Sequence, residues 1–434
     1  MTVDASNTTT AGNTTTAGNT TAGNGTTTAG TATTGARPQA TGREFIGLIT
    51  ALMAMTALGI DLMLPAFPDI RAEYGMASDS TQVSWVITAY FLGMAIGPWC
   101  YGPLSDRIGR RKPLYAGLVL YAVGASVAAL APTWTLLVVA RFIWGVGASG
   151  PRSLAVTMVR DRNEGDTMAR LMSMIMAVFM LVPILAPALG AGLIHVLPWR
   201  AVFWFPAVVA VLMMLWARRL PETLHPDNRR PFTVRSVATA GREVVTHRQA
   251  MAMMLAMTFL YSSMTAYLSS SEVIIGDVYG YGDWFPLFFA AVAVLFAANS
   301  LFNARLVQHV GVINLLRRMS LVGVVLCAGF FAVSLTNGGV PPFWLFAVAL
   351  AIAMPMAQGL SPNCNTAAMT PLPHVAGTAS AIIATVTTAG GAILGGIAAS
   401  AFDGTVRPFA GYLLAFMLAA TALIWWGTTR RTAH

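Results

Sequence analysis

The stretch "GPLSDRIGRRKPL", residues 102–114, decides the fold because it is a short charged interruption between two long apolar segments. Gly102 and Gly109 allow close approach of the backbone, and Asp106 can cap or pair at a helix end. The arginines can hold a neighbouring helix end or an anionic lipid. The stretch therefore predicts a tight turn between two membrane-spanning helices.

The composition of the whole chain supports this interpretation. Of its 434 residues, 56% are hydrophobic and only 10% are charged, and its mean hydropathy is +0.65; soluble domains carry about a quarter charged residues. About 20 mainly apolar residues form a helix that crosses the bilayer and satisfies its own backbone polar groups. The sequence predicts an all-α membrane protein with twelve spans, at 44–66, 82–103, 113–131, 134–156, 168–194, 199–217, 250–271, 284–305, 314–335, 342–362, 374–400 and 408–427.

The longest charged interruption, residues 217–250, divides these spans into six and six. Two nearly equal halves joined by a charged loop indicate a duplicated transporter with its site between the halves. The Asn/Thr/Ala/Gly repeats at the start are too polar to fold. We expect a disordered cytoplasmic leader (1–43), a six-helix bundle (44–217), a cytoplasmic linker (218–249), a second six-helix bundle (250–427) and a cytoplasmic tail (428–434).

The basic residues predict the orientation. Most of the 26 Lys and Arg residues lie on one side of the predicted spans, and only Arg71, Arg200 and Arg407 fall on the other side. The positive-inside rule then places both termini in the cytoplasm, in a bacterial-type inner membrane. This orientation explains the net charge of +9 without a nucleic-acid partner. The three cysteines are widely spaced and predict neither disulfides nor a metal site.

The order G-x-L-x-D-R-x-G-R-R within residues 102–114 is more specific than an ordinary basic loop. It resembles the loop signature of the major facilitator superfamily, and the resemblance covers about residues 44–427. It implies two pseudo-symmetric six-helix bundles and a loop that gates the change between inward-open and outward-open states. A degenerate copy, "ARLVQHVG" (304–311), has Gln308 in place of the acidic residue, which implies a weaker second gate. The matching positions are Gly102, Leu104, Asp106, Arg107, Gly109, Arg110, Arg111 and Leu114.

The fourth predicted span, "LVVARFIWGVGASG" (137–150), contains a charge, Arg141, that is costly inside a membrane unless it faces a cavity or a partner. The segment resembles the helix 4 motif of the superfamily, with Trp144 where a glutamine is common. The resemblance implies that Arg141 takes part in proton transfer, as in proton-coupled members. The alternative is a structural arginine paired with backbone carbonyls. The matching positions are Leu137, Arg141, Gly145, Gly147 and Ala148.

The fifth predicted span contains "VPILAPALGAG" (182–192). Pro183 and Pro187 bend a helix, and Gly190 lets another helix pack closely. The segment resembles in part the exporter signature G-P-x-x-G-G, because Pro187 and Gly190 match while alanines replace two glycines. This resemblance favours export, although a kinked packing helix would use the same residues.

Three further stretches resemble the drug:proton antiporter branch of Bcr/CflA type: "IDLMLPAFPDI" (60–70), "MVRDRNEGDTMARLMS" (158–173) and "HVAGTASAII" (374–383). The likeness implies that Asp61 exchanges a proton for substrate, with Arg141 balancing its charge. The pKa of a carboxyl group rises on burial and falls beside a cation, so a group so placed can load and release a proton. The alternative is that Asp61 caps the bend before Pro65.

Two more charged residues need an assignment. Glu272, in "SSSEVIIGD" (269–277), is expected to be solvated at the outer end of helix 7, as a secondary acid. Arg152 is expected to snorkel toward the cytoplasm, with structural and functional roles both open. Aromatic, thioether and amide side chains accept varied ligands without strict geometry. The candidates for substrate binding are Tyr90, Trp144, Met180, Tyr261, Tyr267, Asn299, Gln358 and Asn363.

The combined features predict a proton-coupled secondary transporter that exports small amphipathic drugs or metabolites by alternating access. Its partners would be substrate, proton and lipid, it would act as a monomer, and the proton gradient would replace any cofactor. The alternative is a proton-coupled importer of a small metabolite. An ATP-driven pump is disfavoured because the only lysine, Lys112, follows Arg111 rather than glycine, so that no P-loop exists. The sequence has neither an H-E-x-x-H motif nor a G-x-S-x-G motif, and no catalytic or metal-binding residue is assigned.

Overall fold

The computed structural model describes residues 42–163, 165–224 and 234–429, and all regular secondary structure within these ranges is helical. The first half contains α1 (Gly42–Asp61), α2 (Phe67–Glu73), α3 (Trp85–Ile108), α4 (Arg111–Leu130), α5 (Trp134–Arg162), α6 (Gly165–Val196) and α7 (Ala201–Trp216). The linker contains α8 (Val234–Thr246), and the second half contains α9 (Arg248–Val273), α10 (Phe285–Val310), α11 (Val312–Ser334), α12 (Phe343–Gln358), α13 (Leu360–Met369), α14 (Ala376–Ser400) and α15 (Arg407–Thr428). The predicted disordered leader up to residue 41, linker residues 225–233 and tail residues 430–434 lie outside the described residues.

Eleven helical segments in the described ranges are long and apolar enough to cross a membrane. α5 is not among them, because Arg141 and Arg152 lie within it. Its 29 residues nevertheless span about 44 Å at 1.5 Å per residue, more than the hydrocarbon thickness. The predicted all-α fold with twelve spans is therefore confirmed, with the tenth span formed by α12 and α13 together. The linker also contains a helix, α8, that the sequence analysis did not include.

Glycines let the helices of the first half approach closely. α5 lies against α3 and α4. A Cβ atom on Gly93 of α3 would lie 2.0 Å from the Phe142 carbonyl oxygen, and one on Gly145 of α5 would lie 2.0 Å from the Tyr90 carbonyl oxygen. Because no side chain fits at either position, the backbones of the two helices are in contact. This packing brings the middle of α5 within hydrogen-bonding distance of α3 and α1.

The second half is built in a similar way, with α9 packed against α14 and α15. The turn after α10 repeats the turn after α3. Gly109 and Gly311 have positive φ angles of 95° and 79°, and the N–H of each donates to the carbonyl four residues earlier. A side chain would be strained at these φ values, so glycine is required at both turns. The same turn at equivalent places in the two halves supports an internal duplication.

The two halves meet mainly along α3 with α14 and along α6 with α10. Trp99 Nε1 donates a hydrogen bond to Thr385 Oγ1 over 2.6 Å, and Thr385 Oγ1 donates to the Ala95 carbonyl oxygen over 2.8 Å. We name the two ends of the bundle after Arg71, which precedes α3, and Arg110, which follows it. The Arg71 end lies before α3 begins, and the Arg110 end lies where α3 turns into α4.

Candidate functional site

A cavity of about 190 Å³ lies between the two halves. The first half contributes α1, α3, α5 and α6 to its wall, and the second half contributes α9 and α10. The wall is mainly apolar and aromatic, with one carboxylate and one guanidinium. The lining residues are Thr56, Ala57, Ile60, Asp61, Phe91, Arg152, Phe179, Pro183, Tyr261, Met264, Tyr267, Leu268, Phe289, Ala293 and Phe296.

Asp61 is the last residue of α1 and lines this cavity. Only 5% of the residue is exposed. Among the described residues it has no hydrogen-bond partner and no ion-pair partner. The 3-10 helix that follows, Leu64–Ala66, begins without a side-chain cap, so the bend before Pro65 does not use Asp61. The structure therefore places Asp61 at the cavity and not in a capping contact.

The surroundings of Asp61 make its charge costly. A carboxylate in apolar surroundings is unfavourable when it has neither a cation nor a hydrogen-bond donor. The neutral, protonated form does not carry this cost. A proton or a cationic ligand in the cavity would each relieve it.

Arg141 lies beside this site but does not pair with Asp61. It is completely buried. Its Nη1 donates to the Gly59 carbonyl oxygen over 2.8 Å, and its Nε donates to the Val86 carbonyl oxygen over 3.2 Å. Gly59 is in the last turn of α1, where carbonyls lack a partner within the helix. Arg141 thus connects α5 with α1 and α3.

Two aromatic rings enclose the same guanidinium. Its Cζ atom lies 4.4 Å from the centre of the Tyr90 ring and 4.6 Å from that of the Trp144 ring. Cation–π attraction compensates in part for the lost hydration of a buried cation. In this arrangement Arg141 fixes the turn of α1 that ends at Asp61.

Arg152 lines the cavity together with Asp61. It follows Arg141 by three turns of α5 and so lies on nearly the same side of that helix. Its side chain is exposed. The sequence predicts that Arg152 snorkels toward the cytoplasm, and it does not predict the place of Arg152 in the wall of this cavity.

Aromatic side chains from both halves form much of the wall. The rings of Phe91 in α3 and Tyr261 in α9 pack edge to face at 5.4 Å. The ring of Tyr267 stacks on Phe289 at 5.5 Å. Two of the eight candidates for substrate binding, Tyr261 and Tyr267, thus line the cavity.

The other six candidates do not line this cavity. Tyr90 and Trp144 pack around Arg141, and Met180 lies on α6. The three amides hold helices of the second half together. Asn299 donates to the Pro355 carbonyl oxygen, Gln358 donates to the Leu260 carbonyl oxygen, and Asn363 donates to Asn303 Oδ1, at 2.6, 2.8 and 2.8 Å.

The expectation that Glu272 is solvated is wrong. Its carboxylate accepts two hydrogen bonds of 2.9 Å from the guanidinium of Arg71. The side chains are only 2% and 6% exposed. Asp277 lies on the same guanidinium, at 3.5 Å from Nη2. Arg71 belongs to α2 and Glu272 to α9, so this buried ion pair joins the two halves at the Arg71 end.

The family model described as "Major Facilitator Superfamily" matches residues 49–395. The chain belongs to the major facilitator superfamily. It is a multi-pass membrane transporter.

Among the described residues, no group of three or more His, Cys, Asp or Glu could hold a metal ion.

Two bacterial relatives cover most of this transporter. The uncharacterized MFS-type transporter YdgK of Bacillus subtilis is 30% identical over 79% of the chain and 86% of its own length. The bicyclomycin resistance protein homolog of Haemophilus influenzae is 27% identical over 84% of the chain and 91% of its own length. The chain also resembles a crystal structure of a D-xylose-proton symporter, with a TM-score of 0.70 at 14% sequence identity. The match covers 88% of this chain and 97% of the symporter chain. The structural likeness shows the fold.

In this transporter the loop of residues 102–114 is held by a network of charges. Arg110 is 4% exposed, and its guanidinium pairs with Asp106 and with Asp161. Burial acts to lower the pKa of Arg110, but hydrogen bonds and charge from Asp161 and Asp106 outweigh it and raise the pKa above its usual value. Glu222 accepts hydrogen bonds from the backbone N–H groups of Arg110 and Arg111. The loop is thereby tied to the end of α5 and to the segment that follows α7.

The other predicted motif of this transporter, in α6, lies beside Asp61. Pro183 lines the cavity, and Pro187 lies within the same helix. A Cβ atom on Gly190 would lie 2.0 Å from the Leu62 carbonyl oxygen. Gly190 therefore lets α6 contact the backbone directly after Asp61.

Proposed function

We propose that this transporter exports small amphipathic compounds across a bacterial inner membrane in exchange for protons, and that it does so as a monomer. The positive-inside rule supports a cytoplasmic location for the Arg110 end and for both termini. The names of relatives support export of drugs, since one is a bicyclomycin resistance protein homolog and others are multidrug resistance proteins. The aromatic lining of the cavity supports an amphipathic substrate.

The observation that carries the proposal is the unpartnered, buried carboxylate of Asp61 in the cavity between the halves. Because its charge lacks a partner there, Asp61 holds a proton when the cavity is empty. A cationic substrate group takes the place of this proton. Since proton and substrate then compete for one carboxylate, release of one accompanies binding of the other, and an inward proton gradient drives export.

The ion pair between Arg71 and Glu272 supplies the closed end that alternating access requires. With the Arg71 end closed, the cavity exchanges substrate through the Arg110 end. The cycle then requires that this ion pair separate while the Arg110 end closes.

The test compares Asp61→Asn with the control Asp69→Asn. Asp69 is an exposed acid on α2, eight residues further along the chain. Each variant is expressed in a strain that lacks its major efflux pumps and is challenged with a panel of drugs. Inverted vesicles then report proton release on addition of the drugs that the wild type resists. We expect resistance and proton release from the wild type and from Asp69→Asn, and neither from Asp61→Asn.

Proton release that persists in Asp61→Asn would refute the role of this carboxylate. Greater susceptibility to a drug on expression of the wild type, with uptake of that drug, would favour the importer instead. Both variants are checked for equal amounts in the membrane, so that a loss of protein is not read as a loss of coupling.

A further inference from the structure

The cavity contains a second charge that the proposed exchange of protons does not use. Arg152 and Asp61 both line it, one a cation and the other an acid. Among the described residues Arg152 makes no hydrogen bond and no ion pair, and it is not paired with Asp61. The guanidinium therefore has its donors free at the wall of a cavity that is otherwise aromatic and aliphatic.

Two other arginines of this protein, both buried, have hydrogen-bond acceptors within the fold. Arg141 donates to two backbone carbonyls. Arg71 donates to both oxygens of Glu272. Arg152, on the same helix as Arg141, has no such partner, and its side chain faces the space that a substrate enters. A free guanidinium is a strong ligand for a carboxylate or a related oxyanion, because its fork of N–H groups matches two oxygens.

The size of the cavity limits the ligand. A cavity of about 150 Å³ holds benzene, so about 190 Å³ admits one aromatic ring with short substituents. Phe91, Tyr261 and Phe289 are positioned to contact such a ring from both halves. The same wall offers this ligand a carboxyl group, Asp61, and a guanidinium, Arg152.

We propose that Arg152 binds an anionic group of the substrate and that this site therefore prefers compact aromatic zwitterions to cations of the same shape. This inference rests on the proposed function, because it takes the same cavity as the substrate site. The ammonium of the ligand lies at Asp61, the ring lies against the aromatic wall, and the carboxylate lies at Arg152. Arg152 is then a specificity-determining residue.

The test measures equilibrium binding to the purified full-length transporter by calorimetry, with a matched pair of probes. 4-(Aminomethyl)benzoate carries an ammonium and a carboxylate on one ring, and 4-(aminomethyl)benzamide replaces the carboxylate by a neutral amide. A hydrogen bond to a charged group contributes enough for a preference of about tenfold or more. We expect the wild type to bind the benzoate at least about tenfold more tightly than the benzamide.

Three variants separate the contributions. Arg152→Gln is expected to abolish the preference by weakening the benzoate alone, with the benzamide affinity unchanged. Asp61→Asn is expected to weaken both probes and to keep their ratio. Arg305→Gln is the control, because Arg305 is exposed on α10 and does not line the cavity. It is expected to leave both affinities unchanged.

The inference is overturned if the wild type shows no preference, if it binds neither probe, or if Arg152→Gln weakens both probes equally. Each variant is first shown to elute as the wild type does in size-exclusion chromatography. Because binding is measured without a gradient, a preserved preference together with absent proton release would refute only the proposed antiport.

Discussion

The ion pair between Arg71 and Glu272 allows a quantitative prediction about closure of the Arg71 end. The perturbations are Arg71→Gln, Glu272→Gln and the double variant. Because both side chains are almost fully buried, removing one partner costs about 3–5 kcal/mol while the halves stay together. Separation of the halves lets water reach the remaining charge and removes this cost. The variants therefore shift the equilibrium toward an open Arg71 end, by about 150-fold to 4,000-fold.

Asp277, the second acid that contacts the Arg71 guanidinium, makes the expected size of the shift differ between the variants. After Arg71→Gln, Glu272 and Asp277 lie together without their cation. After Glu272→Gln, Arg71 keeps Asp277 and can still donate to the new amide. We therefore expect the larger shift for Arg71→Gln. The double variant is expected to open less than the sum of the single changes, because a buried pair couples non-additively.

The assay is the distance between spin labels at Ser78 and Thr336, two exposed residues of opposite halves at the Arg71 end. The exposed Cys100 is first replaced by serine, while Cys327 and Cys364 are buried. The control is Glu73→Gln, which breaks an ion pair of 2.8 Å with Arg200 whose side chains are 33% and 41% exposed. An exposed pair of this kind contributes about 0–1 kcal/mol, and this one lies within the first half.

We expect a longer label-to-label distance to become the main population in Arg71→Gln and to remain minor in Glu73→Gln. Equal distance distributions in the wild type and Arg71→Gln would refute the reasoning. They would mean that other contacts close this end.

Two further predictions concern the surroundings of Asp61. Gly190→Val is expected to abolish transport and to destabilise the protein by about 1–3 kcal/mol, because its Cβ would lie 2.0 Å from the Leu62 carbonyl oxygen. Thermal unfolding in detergent measures the loss of stability. The control is Gly192→Val, where no atom lies within 4 Å of the added Cβ, and an equal loss of stability in this control would contradict the prediction. Arg141→Ala is expected to lower the unfolding temperature by several degrees, because it leaves the buried Gly59 carbonyl without a donor, which costs about 1–3 kcal/mol. Unchanged thermal stability together with lost proton coupling would instead support the role in proton transfer that the family resemblance implies.

The sequence predicted those features that a charge or a glycine marks within an apolar run. Asp61 and Arg141 are noticeable because membrane spans rarely contain charges. The loop of residues 102–114 is noticeable because its glycines and charges have a fixed order. These signals are local, and the family resemblance gives each of them a place in the fold.

What the sequence did not predict depends on contacts between distant parts of the chain. The sequence predicts Glu272 at the membrane surface, but α9 continues to Val273 and passes into the π-helix Ile274–Val278. The partner of Glu272, Arg71, is 201 residues away in the sequence. Arg152 gave the same signal as Arg141, yet only the packing of α5 shows that it borders the cavity. Most aromatic and amide candidates were misplaced because nearly every face of a central helix is apolar, so periodicity does not distinguish the cavity face from the packed face.

The two arginines of α5 have a consequence for how the chain enters the membrane. Each arginine at the centre of a helix adds about 2.5–3.5 kcal/mol to the free energy of insertion by the translocon. α5 therefore does not partition into lipid as an independent segment. Since Arg141 donates to carbonyls of α1 and α3, we expect α5 to leave the translocon only after those helices are in place. Assembly of the first half would then follow the order of synthesis from α1 to α5.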